Sequence, residues 1–348
     1  MTNTNGIIRV IKGLTPIVLF ILGLTYFAYC RITSYTPIKL PSLEEMKSYG
    51  PILLPFIYAF SYLVRAGAAL LFAFVLAGFI SELMPKHVLL NHLSSRRKSS
   101  YFLAALFSPL LTVCSCVMVP VFAGLVYGGA GLGPALAFLL TAPAANIMAI
   151  IFTADIISWK IAIARLFFSI IIAVTVGFIV SKMPWGKAVE EKSRARIRKG
   201  YGVAEQKEPL LDKLWQSFQT TCFLARTILP YLLLGIAIVS YVQAYLPPKI
   251  VATYLSGFIG IMLGAVIGVP MYTPTLVEVV LVDGLRHLGM SPSAALAFLI
   301  GGPMTSIPSM FGVSRVVGWK VILSYAVLAV VGAVIAGLCY YIVLGDVW

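Results

Sequence analysis

Ala135-Leu136-Ala137-Phe138-Leu139 returns as Ala295-Leu296-Ala297-Phe298-Leu299, and the same displacement of 160 residues carries Pro143 to Pro303, Ile147 to Ile307 and Trp159-Lys160 to Trp319-Lys320. A bias toward Ala and Leu could repeat the pentamer, but not the Pro and Trp-Lys register along with it. Farther upstream, Arg65 matches Arg226, and Pro85-Lys86-x-Val88 matches Pro248-Lys249-x-Val251 with a small shift that needs only a loop insertion or deletion. The chain is an internal duplication.

Both copies are apolar. Of 348 residues 60% are hydrophobic and 11% charged, with a mean hydropathy of +0.97. A soluble domain carries about a quarter charged residues to cover its surface. The chain therefore reads as a polytopic membrane protein, all-α because helix is the only unclosed structure a bilayer permits. Nine apolar runs are expected: 13 to 29, 52 to 83, 101 to 127, 134 to 153, 159 to 183, 214 to 246, 252 to 282, 292 to 311 and 318 to 344. The first follows Arg9 and Lys12 and lacks a small-x-small cleavage site, so it is kept as a transmembrane helix with its cytoplasmic end first. The expected organisation is a first helix and external loop (1–50), membrane repeat 1 (51–183), a basic cytoplasmic linker (184–213) and membrane repeat 2 (214–348).

The net charge of +14 is spread over short segments between apolar runs. Such charge fixes orientation in the bilayer and does not point to nucleic acid. The most basic stretches are the loop holding Lys86, Arg96, Arg97 and Lys98 and the linker from Lys182 to Lys213, so both are expected to be cytoplasmic. Three apolar runs separate Arg96 from Lys187, an odd number, so one of the three cannot cross simply. The same accounting sends the runs ending at Ser81 and Tyr245 in opposite directions, which makes the copies an inverted-topology repeat with broken or re-entrant helices.

Each copy is interrupted twice by helix-breaking residues. The interruptions are Cys114-Ser115-Cys116 and Thr141-Ala142-Pro143-Ala144-Ala145-Asn146 in the first, and Pro270-Met271-Tyr272-Thr273-Pro274-Thr275 and Gly301-Gly302-Pro303-Met304-Thr305-Ser306 in the second. Thr273-Pro274 and Gly302-Pro303 read as an N-cap followed by Pro at the first helical position, where a new half-helix would start. Broken helices at membrane depth are tolerated only in protein or around a wet cavity, so the four breaks are expected to converge on one site. The candidate solute-binding residues are Cys114, Ser115, Cys116, Pro143, Asn146, Tyr272, Thr273, Pro274, Pro303, Thr305 and Ser306. Glu278, an acid inside an apolar run, is the candidate coupling residue, with Arg226 or Arg65 as an alternative structural partner. His87, His92 and His287 lack ligand spacing, and no metal or cofactor is assigned.

Phe107-Ser108-Pro109-Leu110-Leu111-x-x-Cys114-Ser115-Cys116-x-x-x-Pro120, Gly131-Leu132-Gly133-Pro134 running into Ala-Leu-Ala-Phe-Leu, and Gly268-Val269-Pro270-Met271-Tyr272-x-Pro274-Thr275 together resemble prokaryotic permeases of the YraQ and ArsP type. The resemblance spans about residues 55 to 342. It implies an inner-membrane permease, some of whose relatives export trivalent organoarsenicals. Where members often carry a further Cys after the second Pro-x-Tyr, this chain has Thr273.

The expected function is thus a non-enzymatic secondary efflux permease for a small solute, with a site between the repeats. The thiols of Cys114 and Cys116 suit a soft metalloid such as an organoarsenical. Half-helix N-termini suit a small anion, an oxyanion or a sulfur species. A membrane thiol redox protein is the alternative of another class, although C-x-C lacks the C-x-x-C redox spacing. No phosphate-loop or common protease motif occurs. The partners expected are the lipid bilayer, the solute and further copies of the chain.

Overall fold

The structure is a computed structural model and describes residues 50–82 (save 52), 93–111, 115–201, 210–245, 257–270 and 277–345, with Val18, Ile21, Leu22 and Thr25 near the N-terminus. The expected first transmembrane helix and the loop after it lie outside the described residues. Among the described residues every regular element is a helix. Repeat 1 comprises α1 (Leu54–Glu82), α2 (Lys98–Phe107, continued by a 3-10 turn Ser108–Leu111), α3 (Ser115–Gly128), α4 (Leu132–Ala144), α5 (Ile147–Phe152, continued by a π-turn Thr153–Ile157) and α6 (Trp159–Lys182). The linker contains α7 (Pro184–Tyr201). Repeat 2 comprises α8 (Leu210–Tyr245), α9 (Gly257–Gly268), α10 (Val277–His287), α11 (Pro292–Met304), α12 (Ile307–Val317) and α13 (Trp319–Leu344).

The 160-residue displacement found in the sequence holds in three dimensions. It carries α4 onto α11 and the start of α6 onto the start of α13 residue for residue. It also carries individual contacts. A Cβ on Gly177 would fall 2.5 Å from Gly133 O and 3.4 Å from Ala137 Cβ, and one on Gly337 would fall 2.8 Å from Ser293 O and 3.2 Å from Ala297 Cβ. In both copies α4 or α11 thus lies directly against the backbone of α6 or α13, a close approach that only glycine permits.

The copies run in opposite directions. The Tyr241 hydroxyl near the end of α8 donates to Pro51 O before the start of α1 (2.8 Å), and Thr221 near the start of α8 donates to Phe74 O near the end of α1 (3.3 Å). α1 and its counterpart α8 are therefore antiparallel neighbours. α6 and α13 pair likewise: Trp185, just past the end of α6, donates to Ser324 Oγ near the start of α13 (3.0 Å), and Ile172 packs on Gly332, its own counterpart. The two-fold axis relating the repeats lies across the helices, as an inverted repeat requires.

Among the described residues four helices are long and apolar enough to cross a membrane: Leu132–Ile157, Trp159–Lys182, Lys213–Tyr241 and Trp319–Leu344. The pair α11 and α12 adds a span bent by 40°. At 1.5 Å per residue the 13 residues of α4 or α11 rise about 20 Å, so each break falls within the roughly 30 Å hydrocarbon layer.

The run 101 to 127 is the one that does not cross. Tyr101 at the head of α2 bonds Ser95 O and Ser181 Oγ at the foot of α6 (both 2.9 Å), while Val126 at the end of α3 accepts from Ser193 of α7 (2.8 Å). α2 thus enters and α3 leaves by one face, forming a re-entrant hairpin. Only α4–α5 and α6 cross between Arg96 and Lys187, which restores an even count.

Candidate functional site

The break between α4 and α5 and the break between α11 and α12 share one backbone geometry. Ala145 (φ −113°, ψ 25°) and Thr305 (φ −126°, ψ 33°) leave the helix, and Asn146 (φ −50°, ψ 128°) and Ser306 (φ −62°, ψ 133°) stand extended before the next one. Pro143 and Pro303 do not open the second half-helix. Each is the last residue but one of the first half-helix, where a missing N–H leaves the carbonyl four residues back unpaired and the helix ends soon after. The sequence expectation for Gly302-Pro303 is corrected accordingly: Ser306 is the N-cap, and the N-terminal proline of α12 is Pro308.

At the first break the Asn146 side chain accepts from Met148 N–H at 2.9 Å, an ordinary N-cap bond. Ser306 makes no such bond to α12. Its hydroxyl lies 3.0 Å from Ser115 Oγ, the first residue of α3, and 2.7 Å from Ser309 Oγ. All three serines are buried. The tip of the re-entrant hairpin of repeat 1 therefore meets the broken span of repeat 2, and two helix N-termini face each other in the interior. The positive dipole ends of α3 and α12 meet there.

The α4–α5 junction at Asn146 is related to the α11–α12 junction by the two-fold axis. The counterparts of Ser306 and Ser115 are Asn146 and Thr275, the latter outside the described residues. Beside this junction Arg165 of α6 donates to Ala144 O (2.7 Å), to Thr153 Oγ1 (3.1 Å) and to the carboxylate of Glu278, in the first turn of α10. Arg165 is fully buried and Glu278 is 3% exposed. A buried ion pair is held only when both charges are compensated and further hydrogen bonds complete the geometry. Here the cation sits at the C-terminal end of α4 and the anion at the N-terminal end of α10, each at the helix end that favours its sign.

Glu278 was expected to pair with Arg226 or Arg65, if with a cation at all. Arg226 is exposed, and Arg165 takes that place. The signal in the sequence was an Arg seven residues into an apolar run whose counterpart, Tyr325, carries no charge. Of the remaining candidates, Thr305 donates to Gly301 O (2.6 Å) and closes the last turn of α11. Cys116 packs in an apolar cluster with Leu70, Val121, Leu232 and Ile236, between α3, α1 and α8, which also touches Ile307 beside the serine junction. Cys114, Tyr272, Thr273 and Pro274 lie outside the described residues. No group of three or more His, Cys, Asp or Glu that could hold a metal ion occurs among the described residues.

The chain is 29% identical over 329 residues to the UPF0718 protein MJ0584 of Methanocaldococcus jannaschii, an alignment covering 77% of this chain and 90% of the relative. It is 26% identical over 286 residues to the UPF0718 protein YraQ of Escherichia coli, covering 81% of this chain and 79% of the relative. No solved structure matches. A family model described as "Predicted permease" matches residues 56–342, both repeats and the linker between them, and the chain belongs to this ArsP-type permease family.

Proposed function

We propose that the chain is a secondary permease that exports a small anion, an oxyanion or a sulfur species, through the interior where the two repeats meet. The observation that carries the anion is the facing of two helix N-termini, α3 and α12, at Ser115 and Ser306, 3.0 Å apart. Converging backbone N–H groups and hydroxyls bind anions without a fixed cation, and they release them readily. Glu278, paired with Arg165 across the repeat boundary, serves as the coupling group, because an ionisable pair between moving halves can exchange a proton during the cycle. In this reading the chain lies in the inner membrane with the linker on the cytoplasmic side, and it is not an enzyme.

The organoarsenical reading needs Cys114 and Cys116 to act together on one solute. The packing of Cys116 in an apolar cluster favours the anion instead. The test is export from expressing cells of labelled thiosulfate and sulfite, alongside resistance to arsenite and methylarsenite. Anion export that survives replacement of Cys114 and Cys116 by Ser, and falls at least tenfold in Ser306→Leu, is expected. Methylarsenite resistance that vanishes with the two thiols, without any anion export, would replace this reading by the arsenical one.

A further inference from the structure

The linker between the repeats is built as part of the molecule. α6 ends at Lys182, and α7 starts at Pro184 and folds straight back: a Cβ on Gly186 would fall 2.1 Å from Val180 O in the last turn of α6. From there α7 crosses the end of the bundle. Trp185 donates to Ser324 of α13, and Ser193 donates to Val126 O of α3. Glu190 accepts from Ser95 Oγ in the loop before α2 and from Leu132 N–H at the head of α4 (2.9 Å). Gly186, Val189, Glu190 and Ser193 thus form an inward face at helical spacing, while Lys187 and Lys192 are exposed.

Two features follow from this placement. α7 lies at the level where the spans leave the hydrocarbon layer, flat across the face by which the hairpin enters. The exposed charge of that face is also nearly all of one sign. Arg96, Arg97, Lys98, Lys182, Lys187 and Lys192 are exposed there against Glu191, and Glu190, the other acid of α7, is consumed by its inward bonds. Cations on a helix at this level, beside an exposed Trp185, match the charge and height of anionic lipid headgroups. A soluble partner would require a surface standing clear of the bilayer, and α7 is folded flat.

We propose that α7 and the loop before α2 form a collar for the headgroups of anionic lipids, and that lipid bound there steadies the entrance of the re-entrant hairpin through Glu190. Glu190 is the link because it joins the hairpin loop at Ser95 to the head of the spanning helix α4. Its carboxylate also stands at the N-terminus of α4, whose N-cap Gly131 has no side chain to cap it. Lipid that pins α7 thereby pins both.

The test uses the full chain, purified and placed in nanodiscs of phosphatidylcholine with increasing phosphatidylglycerol. Lipid retained by the protein is read by native mass spectrometry, and unfolding is read by thermal melting. Phosphatidylglycerol is expected to be retained in preference to phosphatidylcholine, in a salt-sensitive manner. The preference should fall about fivefold for each lysine removed in K187Q and K192Q. It should be unchanged in K160Q, at the opposite end of α6. Phosphatidylglycerol should raise the melting temperature of the wild type, and the gain should shrink in E190Q while retention persists. Equal retention of both lipids, or loss of the preference in K160Q as large as in K187Q/K192Q, would overturn the proposal. Binding of soluble polyglutamate as tight as that of phosphatidylglycerol vesicles would also overturn it, in favour of an acidic protein partner.

Discussion

Tyr325 occupies in the second repeat the position that Arg165 occupies in the first, and both side chains are fully buried. Arg165 donates to Ala144 O, Thr153 and Glu278; the Tyr325 hydroxyl has no hydrogen-bond partner among the described residues. The counterparts of Thr153 and Glu278 are Val313 and Met118, both apolar. One of two equivalent sites holds an ion pair, and at the other both side-chain partners of the cation are replaced by apolar residues.

Breaking the charged pair should therefore be costly. Glu278→Gln leaves Arg165 buried and uncompensated, and a loss of about 3–5 kcal/mol is expected in thermal unfolding of the solubilised protein. Replacing both, with Arg165→Met and Glu278→Leu, should recover most of that stability. If Glu278 couples transport, the double variant also loses gradient-driven accumulation while still exchanging solute. A double variant no more stable than Glu278→Gln would show that the pair does not act as a unit.

Tyr325→Phe should go the other way. Removing a buried hydroxyl that bonds nothing is expected to leave stability unchanged or raise it by about 1 kcal/mol. A drop of similar size would mean that the hydroxyl has a partner, such as a bound water.

The glycines at the helix crossings should behave as a matched pair. Gly177→Ala would place Cβ 2.5 Å from Gly133 O, and Gly337→Ala would place it 2.6 Å from Ile261 Cγ2. Each is expected to cost about 1–3 kcal/mol through overpacking, and by similar amounts in the two halves.

Across the serine junction a double-mutant cycle on Ser115→Ala and Ser306→Ala should give a coupling energy of about 1 kcal/mol in stability. Additive single effects would mean that the two hydroxyls do not bond.

Impermeant labelling of single cysteines tests the face assignment. Cysteines at Arg97 and Lys187 are expected to label from the same side, because Ser95 and Glu190 join the loop to α7. A cysteine at Lys249, which follows α8 in the sequence, should label from the other. Opposite labelling of the first two would break the count of crossings.

What could be read from the sequence was what is written in register and in breakers. The 160-residue displacement and the Pro143 and Pro303 interruptions stand in the chain as letters, and the fold places them as matched breaks. The parity of the basic loops showed that one run fails to cross, and Cys114-Ser115-Cys116 marked an interruption in 101 to 127, but 134 to 153 carries an interruption too, and no charge distinguishes which of the two turns back. Arg165 was harder still, because its partner Glu278 lies 113 residues away and only folding brings them together. In α7 the charge run masked the signal: Gly186, Val189, Glu190 and Ser193 recur at helical spacing, but they are outnumbered by lysines and arginines that suggest a solvated spacer.

The antiparallel pairing of α1 with α8, and of α6 with α13, constrains how such a chain could have arisen. A half-length ancestor could build this interior only as a pair of identical subunits inserted in opposite orientations, each completing the other's junction. Fusion through α7 ends that ambivalence, since one covalent chain fixes which copy points which way. Freed from having to work in both orientations, the two halves could then diverge, so that Arg165 and Glu278 of one place answer to Tyr325 and Met118 of the other.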